Sequence, residues 1–122
     1  MELRRVPALR LGLSAGSSSA VDITAHLDSG TERTLLDGSF AAAVGLILFD
    51  GTPLDFYSAT GNRMESRVHR VAFSHELLGD WEMDVGFSTG KITRNLLGLD
   101  FFNLFQICFH ERQQRLLMNR EP

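Results

Sequence analysis

Turn signals break this chain so often that no stretch of it reads as a long helix, and the segments between them alternate as strands do. Leu9-Arg10-Leu11-Gly12-Leu13 puts every second residue on an apolar face, and Ser14-Ala15-Gly16-Ser17-Ser18-Ser19 follows as a turn. In the next segment Val21, Ile23, Ala25 and Leu27 share one face, while Asp22, Thr24, His26 and Asp28 share the other. These two segments predict a hairpin. Asp37 to Gly45 predicts a short helix, with Asp37 or Ser39 as cap and Gly45 as stop. Phe49 to Pro53 reads as a loop, and Leu54 to Ser58 and Met64 to Phe73 as strands joined by a turn at Thr60-Gly61-Asn62. Leu78-Gly79-Asp80 turns the chain into Trp81 to Phe87, which alternates again. Leu96 to Phe105 begins apolar and ends at helical spacing. Gln106 to His110 and Arg115 to Met118 then read as closing strands around a polar turn. The expectation is a mainly β chain with one or two short helices.

At 122 residues the length predicts a single domain, 1–122. A domain of this size buries roughly two-thirds of the surface its unfolded chain exposes, enough for a real core. A net charge of −3 argues against nucleic acid or an acidic membrane surface as partner. No apolar run approaches the ~20 residues of a membrane-spanning helix. Pro7 and Arg10 interrupt the N-terminal apolar stretch, so it reads as a strand rather than a signal peptide. Cys108 is the only cysteine, which excludes an intrachain disulfide and a Cys-based zinc site and fits a reducing, cytoplasmic setting. Its expected state is a buried, inert thiol between Ile107 and Phe109. His26, His69, His75 and His110 show no metal-ligand spacing, and no Gly-x-Ser-x-Gly marks a serine nucleophile. No metal and no cofactor is expected.

The chemistry concentrates at Asp28-Ser29-Gly30, where an alternating strand ends and a carboxylate would emerge from the sheet. Gly30 permits a tight loop that brings backbone N–H groups to the acid. Alone, Asp-Ser-Gly is also an everyday turn. Its company is more specific: Ala25-His26-Leu27-Asp28-Ser29-Gly30, then Thr34-Leu35-Leu36, and far downstream Asn95-Leu96-Leu97-Gly98-Leu99-Asp100-Phe101-Phe102. In that order these segments resemble the retropepsin-like aspartic peptidase family, single-domain relatives of the pepsin fold, over nearly the whole chain from about Val6 to Met118.

The resemblance implies a retropepsin-like closed β-barrel or sandwich with a flap hairpin, working as a homodimer on a polypeptide substrate. Asp28 would be the catalytic residue, with Ser29 and Gly30 supporting the active-site loop. Because the chain holds one Asp-Ser-Gly, a monomer would carry half of the machinery. Leu97, Gly98 and Asp100 would form the structural glycine-loop motif, with Asp100 capping a helix rather than pairing with Asp28. Thr60, Gly61 and Asn62 would form the flap tip and touch substrate, and Tyr57 would be the aromatic leaning toward the site. Arg63, Arg67 and Arg70 on the second flap strand read as solvated charges, the alternative being a preference for acidic or polar substrates near the cleft. Thr31 departs from the alanine that is usual after the glycine. The implied activity is aspartic endopeptidase; the alternative is a dimerisation or peptide-binding module that keeps the fold and has little or no turnover.

Overall fold

The computed structural model describes residues 7–16, 19–57 and 61–105. Among them, seven strands form one sheet: β1 (Ala8–Ser14), β2 (Val21–Leu27), β3 (Leu35–Leu36), β4 (Thr52–Tyr57), β5 (Arg63–His75), β6 (Gly79–Ser88) and β7 (Asn95–Leu97). Their order is β1-β2-β7-β3-β6-β5-β4. β1 also pairs with β5, Leu13 lying opposite Phe73, so six strands close into a barrel and β4 hangs outside the ring on β5. That edge position suits Pro53, which has no N–H to give to a second neighbour. A five-residue helix α1 (Ser39–Ala43) and a helical segment over 99–105, here α2, complete the frame.

The alternation seen in the sequence decides which side chains fill the barrel. Leu11 and Leu13 of β1, Ile23 and Ala25 of β2, Val71 and Phe73 of β5, and Met83, Val85 and Phe87 of β6 are all buried. Leu11 faces Ile23 across the β1–β2 ladder, and a one-residue slip would turn this whole set outward. Ala41 and Val44 from the α1 region and Phe101 from α2 join the same core. Trp81 packs between Phe73 and Phe101, with ring centroids 5.5 and 5.7 Å away. Phe or Trp to Ala changes in such a core cost about 3–5 kcal/mol, so these aromatic contacts matter to the barrel's stability.

Several expectations are adjusted by the structure. β5 is longer than expected, and the expected loop at Phe49 to Pro53 is a 3-10 turn (Leu48–Asp50) running into the start of β4. α1 starts at Ser39 with Gly38 in the cap position. The cap's work is done by Asp37, whose Oδ2 accepts the Ser39 N–H at 3.1 Å, and Gly45 (φ +85°) ends the turn. β3 and β7 were not expected as strands at all. The expected closing strands, with Cys108 and His110, lie outside the described residues.

Two parallel pairings bring distant segments together at one end of the barrel. β2 runs beside β7, with Leu27 opposite Leu97, and β3 beside β6, with Leu36 opposite Phe87; Leu35 and Leu96 join β3 to β7 antiparallel. The segment leaving β2 is thereby brought against the segment leaving β7.

Candidate active site

β2 delivers Asp28 to the place where the chain leaves the barrel, and the Asp28 N–H donates to the Leu97 carbonyl at 2.9 Å as the last rung beside β7. The chain then closes on its own carboxylate. Gly30 N–H donates to Asp28 Oδ1 at 2.9 Å, and Thr31 Oγ1–H donates to Oδ2 at 3.2 Å. Thr31 N–H donates to the Asp28 carbonyl at 3.2 Å. A side-chain oxygen taking the N–H two residues on is the usual way Asp stabilises a turn. A Cβ on Gly30 would lie 3.2 Å from Asp28 Oδ1, so the close approach favours glycine there. Asp28 is half-buried, while Ser29 and Gly30 are exposed.

The loop is braced from behind by the start of α2. Leu99 N–H donates to the Thr31 carbonyl at 2.8 Å and Asp100 N–H to the Glu32 carbonyl at 3.2 Å. The Asp100 carboxylate accepts from Thr34 N–H at 3.0 Å, Thr34 Oγ1–H at 2.8 Å and Phe101 N–H at 2.7 Å. Thr34 Oγ1 in turn accepts the Gly98 N–H at 3.2 Å, and Thr34 is fully buried, at 0% exposure. Asp100 therefore serves both the helix start and the segment after Asp28, with its oxygens taken up by Thr34 and Phe101. Its neighbour Gly98 lies against backbone: a Cβ there would come within 2.7 Å of the Thr31 and Arg33 carbonyl oxygens. Leu97 is buried in β7, behind the Asp28 rung.

A cavity of about 410 Å³ opens beside Asp28. Its floor is Asp28, Thr31, Leu35 and Leu96, and its roof is the β4–β5 hairpin, through Phe56, Asn62 and Met64. Asp28 is the only acid on its walls among the described residues. Of the three tip residues singled out in the sequence, Asn62 lines the cavity and Gly61 is exposed with φ +89°; Thr60 lies outside the described residues. Tyr57 reaches the cavity edge but is 69% exposed, whereas Phe56 is the half-buried aromatic. Phe56 was missed in the sequence, although the alternation of Leu54 and Phe56 along β4 points both to the same, inward side.

The charges around the hairpin separate. Arg63 borders the cavity and is paired with Asp55 at 2.9 Å, which holds its guanidinium still more firmly protonated. Arg67 lies over the Phe49 ring at 4.8 Å and donates to the Phe49 carbonyl, and Arg70 faces Glu82 and Asp84. His26, two residues before Asp28, does not line the cavity, and its Nδ1 is buried without a partner among the described residues. No group of His, Cys, Asp or Glu among the described residues is arranged to hold a metal ion. Nor is any helix among them long and apolar enough to cross a membrane.

No family model and no curated protein matches the sequence. Seven chains of solved structures match the fold. One is the EIAV protease in complex with the inhibitor HBY-793, with a TM-score of 0.63 over 84% of this chain and 90% of that one, at 13% sequence identity. At that identity the likeness speaks for architecture alone: this chain has the retropepsin-like fold of aspartic proteases.

Proposed function

We propose that the chain is an aspartic endopeptidase, active as a symmetric homodimer in which two copies of Asp28 hold one water between them and hydrolyse peptide bonds in extended polypeptides. The observation that carries this reading is the setting of the Asp28 carboxylate. It is half-buried, held by Gly30 and Thr31, and placed on the floor of a largely apolar cavity under a hairpin, on a retropepsin-like barrel. The chemistry needs two such carboxylates, and each copy offers one.

Two carboxylates sharing a water cannot both ionise, because like-charge repulsion disfavours the second charge. The ionised member takes a proton from the water as it attacks the scissile carbonyl, and the protonated member donates to the carbonyl oxygen. Collapse of the tetrahedral adduct returns a proton to the leaving amine, with no metal and no covalent intermediate. Ser29, exposed beside Asp28, would brace the two loops across the symmetry axis. The β4–β5 hairpin would act as the flap, with Gly61 allowing a tight tip, Asn62 facing the substrate, and the backbone pairing with an extended peptide.

Hydrolysis of a peptide library from acidic to neutral pH tests the proposal. The unaltered chain should cleave, and Asp28→Asn should lower the rate by about 10²–10⁴-fold or more, with its circular dichroism unchanged. Cleavage that survives the substitution would falsify the role of Asp28. A well-folded dimer that binds peptides without cutting them would point instead to a binding module.

A further inference from the structure

We infer that the open edge of β1 is a docking site for an extended, basic segment of another polypeptide, which adds to the sheet as a further strand. The site shares no residue with the cavity beside Asp28 and does not depend on the peptidase reading. β1 pairs with β2 from Ala8 to Leu13, but with β5 only from Gly12 to Ser14. β5 ends one residue beyond Ser74, the partner of Gly12, and turns away into β6. Among the described residues, Ala8 to Leu11 therefore lack a second neighbouring strand. The Leu27 N–H donates to the Pro7 carbonyl at 2.8 Å, which makes Pro7 and Leu27 a hydrogen-bonded pair of the antiparallel ladder. Such pairs alternate with open ones, so Leu9 and Leu11 spend their backbone groups on β2, whereas Ala8 and Arg10 turn theirs away from it. Gly12, next in this series, turns its groups to Ser74; Ala8 and Arg10 have no such partner among the described residues.

A groove of about 670 Å³ runs along this edge, bounded on its far side by the turn that follows β5. Ala8 to Gly12 span roughly 13 Å of extended chain, room for about four residues of an added strand. The turn is held in shape by His75, whose Nδ1 accepts the Leu77 and Leu78 N–H groups at 3.1 and 3.2 Å. It carries Glu76 and Asp80 to the groove, where Asp22 of β2 joins them. None of these three carboxylates is in an ion pair among the described residues, and Arg10 is the one arginine or lysine on the walls. Three acids against one guanidinium leave the groove negative, so it fits a strand whose side chains bear lysine or arginine and repels one that bears acids. Leu77, 76% exposed on the same turn, offers apolar surface to the residues between the charges. Backbone pairing supplies the affinity in such an arrangement, and the side chains along the groove select the partner.

The probe is a labelled octapeptide of alternating lysine and valine. Its comparators are the glutamate-valine peptide and a lysine-valine peptide N-methylated at every peptide bond, which keeps the charge and loses every backbone donor. Binding is read by fluorescence anisotropy, and the Ala8 and Arg10 amides by hydrogen exchange. Both are measured on the unaltered chain and on Asp28→Asn, so that cleavage cannot consume the peptide. In the free chain the Ala8 and Arg10 amides should exchange faster than those of Leu9 and Leu11, and should slow by about tenfold or more when the lysine-valine peptide binds. The two comparator peptides should bind about tenfold more weakly or worse. Asp22→Asn, Glu76→Gln and Asp80→Asn together should weaken the lysine-valine peptide about tenfold, since three exposed pairs each contribute modestly. Ala8→Pro, at the first position of β1, should weaken it as well while leaving the β1–β2 ladder intact. Ala8 and Arg10 amides already protected in the free chain would show that the edge is covered by another part of the molecule or by a second copy, and would overturn the inference. So would an absence of binding, binding indifferent to N-methylation, or binding unchanged by the triple substitution. Cleavage by the unaltered chain, or its absence, bears on the peptidase reading alone.

Discussion

Gly98 shows how a single backbone contact can matter as much as a catalytic group. A methyl group there would lie 2.7 Å from the Thr31 and Arg33 carbonyl oxygens, and those carbonyls belong to the segment that carries Asp28 onward. Backbone can give way only by moving, so Gly98→Ala should cost about 1–3 kcal/mol of stability by urea titration and lower any cleavage rate as the loop shifts. Full stability in that variant would mean that the two segments are looser than their hydrogen bonds imply. That Asp100 would serve the start of a helix was legible in the sequence, since such roles are local, although it stands second in α2 and takes the Phe101 N–H rather than occupying the cap position. Its hold on Thr34 was not, because the two residues are 66 positions apart and nothing local to either announces the other.

Among the elements, α1 owes its start to Asp37. That carboxylate accepts from the Ser39 hydroxyl and N–H and from Ile92 N–H, tying the helix to the segment that leads into β7. The Ser39 hydroxyl first, and then the Ile92 N–H, hold Asp37 below the usual carboxylate range, with nearby Lys91 adding to the effect and desolvation opposing it. A carboxyl lowered on folding stabilises the native state fully above its unfolded value of about 3.9, and that stability is lost as the pH falls through the lower folded value. Asp37→Ala should therefore be less stable than the unaltered chain by about 1 kcal/mol at neutral pH. The gap should shrink as the pH drops below about 3.9, measured by thermal unfolding across pH. A gap that stayed constant into acid would show that the charge of Asp37 contributes nothing. The longer strands were legible because five or more alternating residues reveal a face; β3 and β7, with two and three residues, are too short to show one and exist through their partners.

For the molecule as a whole, one Asp28 per chain makes assembly part of the proposed chemistry. Mixing the unaltered chain with a tenfold excess of Asp28→Asn, under conditions that let subunits exchange, should leave about a tenth of the original activity. Most active chains would then sit in dimers with a single acid. Activity undiminished by the excess would show that one chain works alone. Barrel closure itself was not legible. β1 meeting β5, β2 meeting β7 and β3 meeting β6 join segments far apart in the chain, and such pairings are decided collectively.

What the residues determined by themselves was local. Alternation chose which side of each strand turns inward, glycine and aspartate chose where the chain turns, and Asp28-Ser29-Gly30 marked where a carboxylate would emerge. Only the tertiary structure decided which strands lie side by side, that Phe56 rather than Tyr57 faces inward, and that Thr31 and Thr34 each meet an aspartate. The reason is physical: a side chain's face follows from its neighbours along the strand, whereas a partner across the barrel depends on the closure of every loop between them.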